Sequence, residues 1–255
     1  MISIMKNRGW QKLGIVLFWL FVWQIAAMAV GNDFLLPSPL TTLTRLFALA
    51  GTAKFWQSAL YTLCRVLGGF ALAVLVGSGL AAAAATWPFF AMLFRPLRSM
   101  IKSTPVTSFI LLVLLWFSKG RVPLFISFLM VLPIIWASLE TAILNTDAKL
   151  LEMAALFHFG FAKTVRLVYV PAVLPAFRTA CATGIGFAWK AGVAAEVLAM
   201  SPVSIGRNLY ESKLYLETPD LFAWTVLIIL LSVLLETLMT RGLACLGRRN
   251  RKEAP

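Results

Sequence analysis

Few residues in this chain are of the types that carry out chemistry, and they lie far apart. The three cysteines, Cys64, Cys181 and Cys245, are single, and the chain has one histidine, so a zinc or iron–sulfur site lacks ligands. The spacings typical of a serine nucleophile, a zinc protease or a phosphate-binding loop do not occur. We therefore expect no catalytic residues, no metal site and no cofactor bound by this chain.

The composition indicates a membrane protein. Apolar residues make up 60% of the 255 residues and charged residues 13%, with a mean hydropathy of +0.87, whereas soluble domains carry about 25% charged residues. The apolar runs predict six transmembrane helices: 13–30, 66–87, 104–117, 122–144, 178–200 and 221–240. The fold class is thus an all-α polytopic membrane protein, with residues 1–255 forming a single transmembrane domain.

The positions of the basic residues predict the orientation. With cytoplasmic termini, fifteen of the 23 Lys and Arg residues fall in inside segments and seven outside, and Lys190 lies within a span. The positive-inside rule therefore places the N and C termini in the cytoplasm and requires an even number of spans. Because this bias accounts for the net charge of +13, we expect contact with membrane lipid and no binding of nucleic acid.

The first apolar run has two interpretations. It follows basic residues and ends near Ala27-Met28-Ala29, which resembles a signal-peptidase site. Its eighteen residues exceed the apolar core of a cleaved signal, about 7–15 residues. Cleavage would also leave an odd number of spans, so a retained helix is expected.

Small residues and prolines mark the interior of the predicted bundle. The second span contains several glycines and the alanine run 81–85, which favour close helix packing in lipid. Prolines interrupt the middle of the chain, and such breaks persist in a membrane only where protein or water satisfies the freed carbonyl groups.

The fifth span contains two charged residues, Lys190 and Glu196. Lys190 lies twelve residues after Arg178, about 18 Å along a helix, and a charge at that depth should face a cavity or a partner. We expect either that Lys190 lines a path for an anionic or electron-rich solute or that it is a structural cation. For Glu196, near the outer end, the residues alone favour partial hydration or a local Arg or Lys partner. The two residues lie about 120° apart around the helix, so we do not expect them to pair. Glu236, nearer the inner surface, could pair with Lys190 only over a long distance.

The longest inside loop, 145–178, predicts a docking element. Thr146 and Asp147 are possible caps for a short helix through 150–160. Ala154 and Ala155 on its surface, beside large apolar side chains, favour insertion into a groove on another protein. Pro171 and Pro175 predict a break before the fifth span.

This loop resembles the EAA loop of permease subunits of ATP-binding-cassette importers. The match begins at Glu152-Met153-Ala154, reaches Pro171 nineteen residues after Glu152, and ends at Leu174-Pro175. It extends over nearly the whole chain and is similar to the branch that handles nitrate, sulfonates, taurine and pyrimidine precursors of thiamine. The extended match comprises 36–39, 65–70, Pro96-Leu97, Trp116-Phe117, Pro133 and 184–196. One position departs from the pattern: His158 stands where the family has glycine, and Gly160 follows two residues later, so a longer turn is expected.

The resemblance implies a type I importer fold in the bacterial inner (plasma) membrane. Two copies of this multi-pass permease would each dock one cytoplasmic ATPase through residues 148–162, and an extracytoplasmic binding protein would deliver the solute. The partner ATPases would use ATP and Mg. The residues implied in coupling are Glu152, Met153, Ala154, Ala155, His158, Gly160, Pro171, Leu174 and Pro175. Lys190 and Glu196 are then candidates for the translocation path or a gate, since the match places the Ala-Ala-Glu at 194–196 near the outer end of the fifth span, where subunits and binding protein would meet.

Two other classes of membrane protein remain as alternatives. A secondary transporter or channel that works alone would show inverted repeats and several ionisable groups at the bilayer midplane. The sequence shows no convincing repeat and one such group, Lys190. A membrane-embedded enzyme is disfavoured by the missing nucleophile and metal ligands.

Overall fold

The computed structural model describes residues 8–252, with side chains described at position 11 and from 13 to 243, and every regular element in this part is a helix. The all-α prediction is therefore confirmed. The helices are α1 (Arg8–Val30), α2 (Pro39–Ala50), α3 (Ala53–Thr86), α4 (Pro88–Ser103), α5 (Val106–Val113), α6 (Val122–Leu144), α7 (Ala148–Leu156), α8 (Phe161–Thr164), a π-helical turn (Val165–Tyr169), α9 (Val170–Ala199), α10 (Ile205–Leu214) and α11 (Thr218–Lys252).

Five helical segments within the described residues are long and apolar enough to cross a membrane. They are Leu13–Val30, Ala53–Thr86, Val122–Leu144, Phe161–Ala199 and Thr218–Leu243. Each contains one predicted span or nearly all of it, and the fourth predicted span matches its helix end to end. Most of the other segments extend beyond the predicted bounds, because polar ends of helices are absent from an apolar run.

The third predicted span, 104–117, is wrong as a continuous helix. Only Val106–Val113 is helical within it, and eight residues rise about 12 Å, which is too short to cross ~30 Å of hydrocarbon. The break before it follows from Pro105, which forces Thr104 into an extended conformation with φ −80° and ψ 131°.

The packing of α3 on α6 nevertheless requires a crossing between them. Gly69 lies against Leu124, and Gly77, about two turns on, lies against Ile135. Contacts that advance together along both helices mean that α3 and α6 run parallel. The intervening segment 87–121 must therefore return to the side on which α3 began.

The pair α4 and α5 makes this return. Arg98 of α4 pairs with Glu140 near the end of α6. Phe117, just after α5, stacks on Phe125 near the start of α6, with ring centroids 4.8 Å apart. The chain thus passes along α6 in the opposite direction, and the third crossing is a helix pair broken at Pro105. Counted with the five long segments, this pair gives the described chain six passes along the bundle, and the positive-inside rule predicts an even number.

The crossings define two faces of the bundle. The α10 face carries α2, α10 and the loop 114–121, and the α7 face carries α7 and the ends of α3, α6 and α11. At the α10 face Arg45 of α2 pairs with Asp220 of α11, Nε to Oδ1 at 2.5 Å, and this hydrogen bond raises the pKa of Arg45. Both described ends of the chain belong to the α7 face. The positive-inside rule predicts that this face is cytoplasmic.

The predicted break before the fifth span is wrong. The chain is helical from Phe161 to Ala199, and Pro175 lies inside α9 while Pro171 lies in its first turn. A proline removes a hydrogen bond and crowds the carbonyl four residues earlier. The π-helical turn, in which the Val170 N–H bonds to the carbonyl of Val165, widens the helix beside the prolines and accommodates them without a break.

Candidate functional site

Glu196, near the end of α9, is the centre of a buried polar cluster at the α10 face. Its side chain is fully buried. The carboxylate accepts hydrogen bonds from Thr62 Oγ1 at 2.8 Å, from the Gly206 N–H at 3.2 Å and from Arg65 Nη1 at 3.2 Å. A carboxylate out of water is tolerated when donors and a cation surround it in this way. The cluster therefore joins α3, α9 and α10 into one unit.

Local structure explains how these partners reach Glu196. Thr62 and Arg65 are three residues apart and so share one face of α3. Gly206 has no side chain, and a Cβ there would lie 2.5 Å from the Cβ of Glu196. Arg65 also donates to the carbonyl oxygens of Pro202 and Val203, at 2.8 and 3.2 Å. The sequence predicted a role for Glu196 but missed its partners, although the three-residue spacing of Thr62 and Arg65 was a usable clue.

Lys190 lies elsewhere on α9, and the structure does not bring it together with Glu196. It is exposed on the surface of the single chain. It lines an open groove of about 350 Å³ between α9 and α11, together with Ala182, Thr183, Gly186, Phe187, Glu236 and Thr240. Of the two candidates for the path, Lys190 is in an open space and Glu196 is in a closed contact between helices.

The predicted docking helix is present as α7. The Asp147 side chain caps it, accepting from the Lys149 N–H at 2.9 Å. Ala154 is buried against the rest of the chain, with only 3% of its surface exposed. The expectation that both alanines lie on the docking surface is therefore wrong for Ala154. Ala155 and Glu152 remain exposed.

Large apolar side chains surround Ala155 on the α7 face. Leu156, Phe157 and Phe161 are exposed to 78, 69 and 87%, and Met153 is also exposed. Exposed apolar side chains of this size typically mark a contact with another protein. Leu174 lines an apolar groove with Val173 and Phe177, whereas Pro171 and Pro175 are exposed on the same helix.

His158 takes the backbone conformation of the glycine it replaces. Its φ is +50°, in the left-handed region. The His158 N–H bonds to Ala155 O at 3.0 Å and the Phe159 N–H bonds to Ala154 O at 2.9 Å, the pair of bonds that ends a helix in a Schellman motif. Gly160 has an ordinary φ of −65°, so the expected longer turn is wrong: the turn closes at His158.

A comparison with protein families identifies the class of this chain. Residues 73–252 match the family described as the binding-protein-dependent transport system inner membrane component. The chain belongs to this family. The predicted resemblance to importer permeases is confirmed, and so is the location in the bacterial inner membrane. The permease is a transport subunit that crosses the membrane several times.

Two curated relatives align over most of the permease. The taurine transport system permease protein TauC of Escherichia coli K12 is 24% identical over 233 residues, covering 89% of this chain and 83% of the relative. The riboflavin transport system permease protein RibX of Chloroflexus aurantiacus is 28% identical over 249 residues, covering 93% and 92%. The two relatives are named for different solutes, taurine and riboflavin, so the solute of this permease has to be argued from its own residues.

Proposed function

We propose that the permease is the membrane-spanning half of an ATP-driven importer, with two copies of this chain side by side. Two cytoplasmic ATPases, which use ATP and Mg, dock on the two α7 helices. An extracytoplasmic binding protein delivers a small solute at the α10 face. The sequence has no spacing typical of a phosphate-binding loop, and we propose that the energy comes from these partners.

The observation that carries this proposal is the exposed apolar surface of α7. It lies on the face that the positive-inside rule predicts to be cytoplasmic. Ala155 is a small residue among exposed Leu156, Phe157 and Phe161, so a groove on a partner could close around the helix.

Two parts of the permease would transmit a displacement of α7 through the bundle: the connection from α7 to α9, and the cluster around Glu196. A rigid α7 is connected to α9 through α8 and the π-helical turn, so a displacement of α7 would be passed to the helix that carries Lys190. The Glu196 cluster would make α3, α9 and α10 move together at the other face. Alternating access needs two such arrangements that differ by only a few kcal/mol.

The solute proposed from Lys190 is a small organic molecule with an anionic group, such as a sulfonate. An ammonium in an open groove between membrane helices attracts anions and is too costly to expose to lipid. This class is narrower than the range implied by the resemblance, which also includes nitrate and pyrimidine precursors.

The test compares Ala155→Trp with two matched variants. A bulky group at Ala155 should overfill the docking groove and cost about 1–3 kcal/mol, which weakens ATPase binding about 5- to 150-fold. Ala48→Trp, at an exposed alanine of α2 on the opposite face, should bind the ATPase normally. Ala154→Trp should instead lower the melting temperature of the isolated permease. Normal ATPase binding and solute-stimulated hydrolysis by Ala155→Trp would contradict docking through α7.

A further inference from the structure

One continuous stripe of exposed residues runs along α9. Thr179, Thr183, Phe187, Lys190 and Leu198 are all exposed, and their spacings of three, four and eight residues keep them on one face of the helix. Every other face of α9 in this region is packed, since Ala188, Trp189 and Ala191 are buried. The stripe is thus the one side of the described α9 that lacks protein neighbours over most of its length.

A matching stripe runs along α11. Its exposed residues are Thr225, Ile229, Val233, Glu236 and Thr240, spaced by three or four. The two helices run in opposite directions, because Gly186 lies against Glu236 whereas Trp189 Nε1 donates to the Ile228 carbonyl oxygen at 3.1 Å. The α9–α11 groove, the open space defined above, lies where the two stripes meet.

Gly186 brings the Glu236 carboxylate onto the surface of α9. A Cβ at Gly186 would lie 2.8 Å from Glu236 Oε1, so a larger residue would displace this carboxylate. Gly186 and Lys190 are four residues apart, or about 6 Å along the helix. The glycine therefore holds an acidic group about one turn from the ammonium group on the same side of α9.

The two charges do not neutralise each other directly. Within the described residues, neither Lys190 nor Glu236 forms an ion pair within 4.0 Å. Lys190 is nine residues from the end of α9 at Ala199, or about 14 Å, and so lies well inside the membrane. Glu236 lies about one turn closer to the α7 face, opposite Gly186. Ionisable side chains inside a membrane face a cavity or a partner, and the groove that Lys190 and Glu236 line has room for a ligand with complementary charges.

We infer that the α9–α11 groove binds a zwitterionic solute, with its anionic group at Lys190 and its cationic group at Glu236. The inference rests on the proposed function and narrows its solute class. A solute with an anionic group alone would satisfy Lys190 and leave the Glu236 carboxylate without a counter-charge. A small molecule that carries both charges would satisfy both groups at once.

The experiment uses the complete complex of permease, ATPase and binding protein in proteoliposomes. The probes are taurine and isethionate, which share a sulfonate and differ in having an ammonium or a hydroxyl group. The measured quantity is the ratio of the two uptake rates. Because the same binding protein serves every variant, its own selectivity cancels when the ratios of two permeases are compared.

We expect Glu236→Gln to lower the taurine-to-isethionate ratio about tenfold, since the amide keeps the shape and loses the charge. Lys190→Met should reduce uptake of both probes while the complex still assembles and hydrolyses ATP. Glu217→Gln removes a carboxylate outside the groove and should keep the wild-type ratio.

Three results would overturn the inference. An unchanged ratio in Glu236→Gln would remove the role of the carboxylate. Uptake of neither probe by a wild-type complex that hydrolyses ATP would rule out a zwitterion site of this kind. Loss of the permease dimer in Lys190→Met or Glu236→Gln, measured by mass, would show that the two charges pair across the subunit interface. Failure of the wild-type chain to assemble with an ATPase would instead overturn the proposed function and, with it, this inference.

Discussion

Three of the described helices end at a residue other than glycine in the left-handed conformation. His158 follows α7, Met200 follows α9 and Leu216 follows α10, with φ of +50°, +48° and +59°. Each position closes its helix by hydrogen bonds back to the last turn. Left-handed backbone costs a residue with a Cβ about 1–2 kcal/mol. None of these three positions is a glycine, so a search for glycine as a helix stop could not have located them.

His158→Gly should therefore stabilise the permease by about 1 kcal/mol, because glycine adopts φ > 0 without steric cost. The measurement is the melting temperature of the purified permease. His158→Ala is the matched control: it removes the imidazole and keeps the Cβ, so it should give no gain. Equal melting temperatures for the glycine and alanine variants would show that the turn is not strained at this residue.

Glu196→Gln should destabilise the contact between α3, α9 and α10. An amide offers one acceptor oxygen where the carboxylate offers two, so at least one of the donors Thr62, Arg65 and the Gly206 N–H loses its partner. An unsatisfied buried donor costs about 1–3 kcal/mol, and the melting temperature should fall while the protein still inserts.

The control for Glu196→Gln is Glu211→Gln on α10. Glu211 forms a surface pair with Arg207 at 2.6 Å, and such pairs contribute at most about 1 kcal/mol. If both variants melt at the same temperature, the buried cluster does not stabilise the α10 face.

At the scale of elements, the contact between α3 and α6 is closer at Gly69 than the contact at any other described glycine. A Cβ at Gly69 would lie 2.2 Å from the Leu124 carbonyl oxygen, so the two backbones touch at this point. Gly79, on the same helix, has nothing within 4 Å of the corresponding position. The richness of the second span in small residues predicted close packing, but which glycines make the contact depends on the direction of each residue around the helix.

Gly69→Ala should force α3 and α6 apart and cost about 1–3 kcal/mol, the usual cost of overpacking. Gly79→Ala is the control on the same helix and should be neutral or stabilising by up to about 1 kcal/mol, since alanine favours helix. Both are measured as resistance of the purified permease to thermal unfolding. A Gly79→Ala variant that is as unstable as Gly69→Ala would mean that the loss does not come from the contact with α6.

The elements that sequence reasoning placed correctly are those with a single strong physical cause. A long apolar run such as 122–144 must be a buried helix, and its bounds match α6. The segment 87–121 mixes apolar residues, basic residues and prolines, and its path is set by the parallel packing of α3 and α6. Ala154 likewise could not be distinguished from Ala155, because neighbouring residues of a short helix differ in burial only through tertiary contacts.

The candidate site shows the same division between local and tertiary information. Lys190 and Glu196 were recognisable because charges in an apolar span are costly. The groove partner Glu236 lies 46 residues further along the chain than Lys190, and its approach depends on the missing side chain of Gly186. A contact of this kind between two helices leaves no pattern in the local sequence.

At the scale of the whole molecule, the broken third crossing determines which loops share a side. Because α3 and α6 run parallel, the two ends of 87–121 must lie on opposite faces, with Trp87 at the α7 face and Lys119 at the α10 face. This is a stricter statement than the count of apolar helices, since the five long segments alone would leave the ends of the chain on opposite sides.

Single-cysteine labelling in cells tests this arrangement of the loops, in a background where Cys64, Cys181 and Cys245 are replaced by serine. With the α7 face in the cytoplasm, a membrane-impermeant maleimide should label Lys119→Cys and Asp33→Cys from outside and leave Trp87→Cys and Asp147→Cys unlabelled until the membrane is opened. Labelling of Trp87→Cys together with Lys119→Cys in intact cells would mean that α4 and α5 re-enter the same side, and the permease would then cross five times.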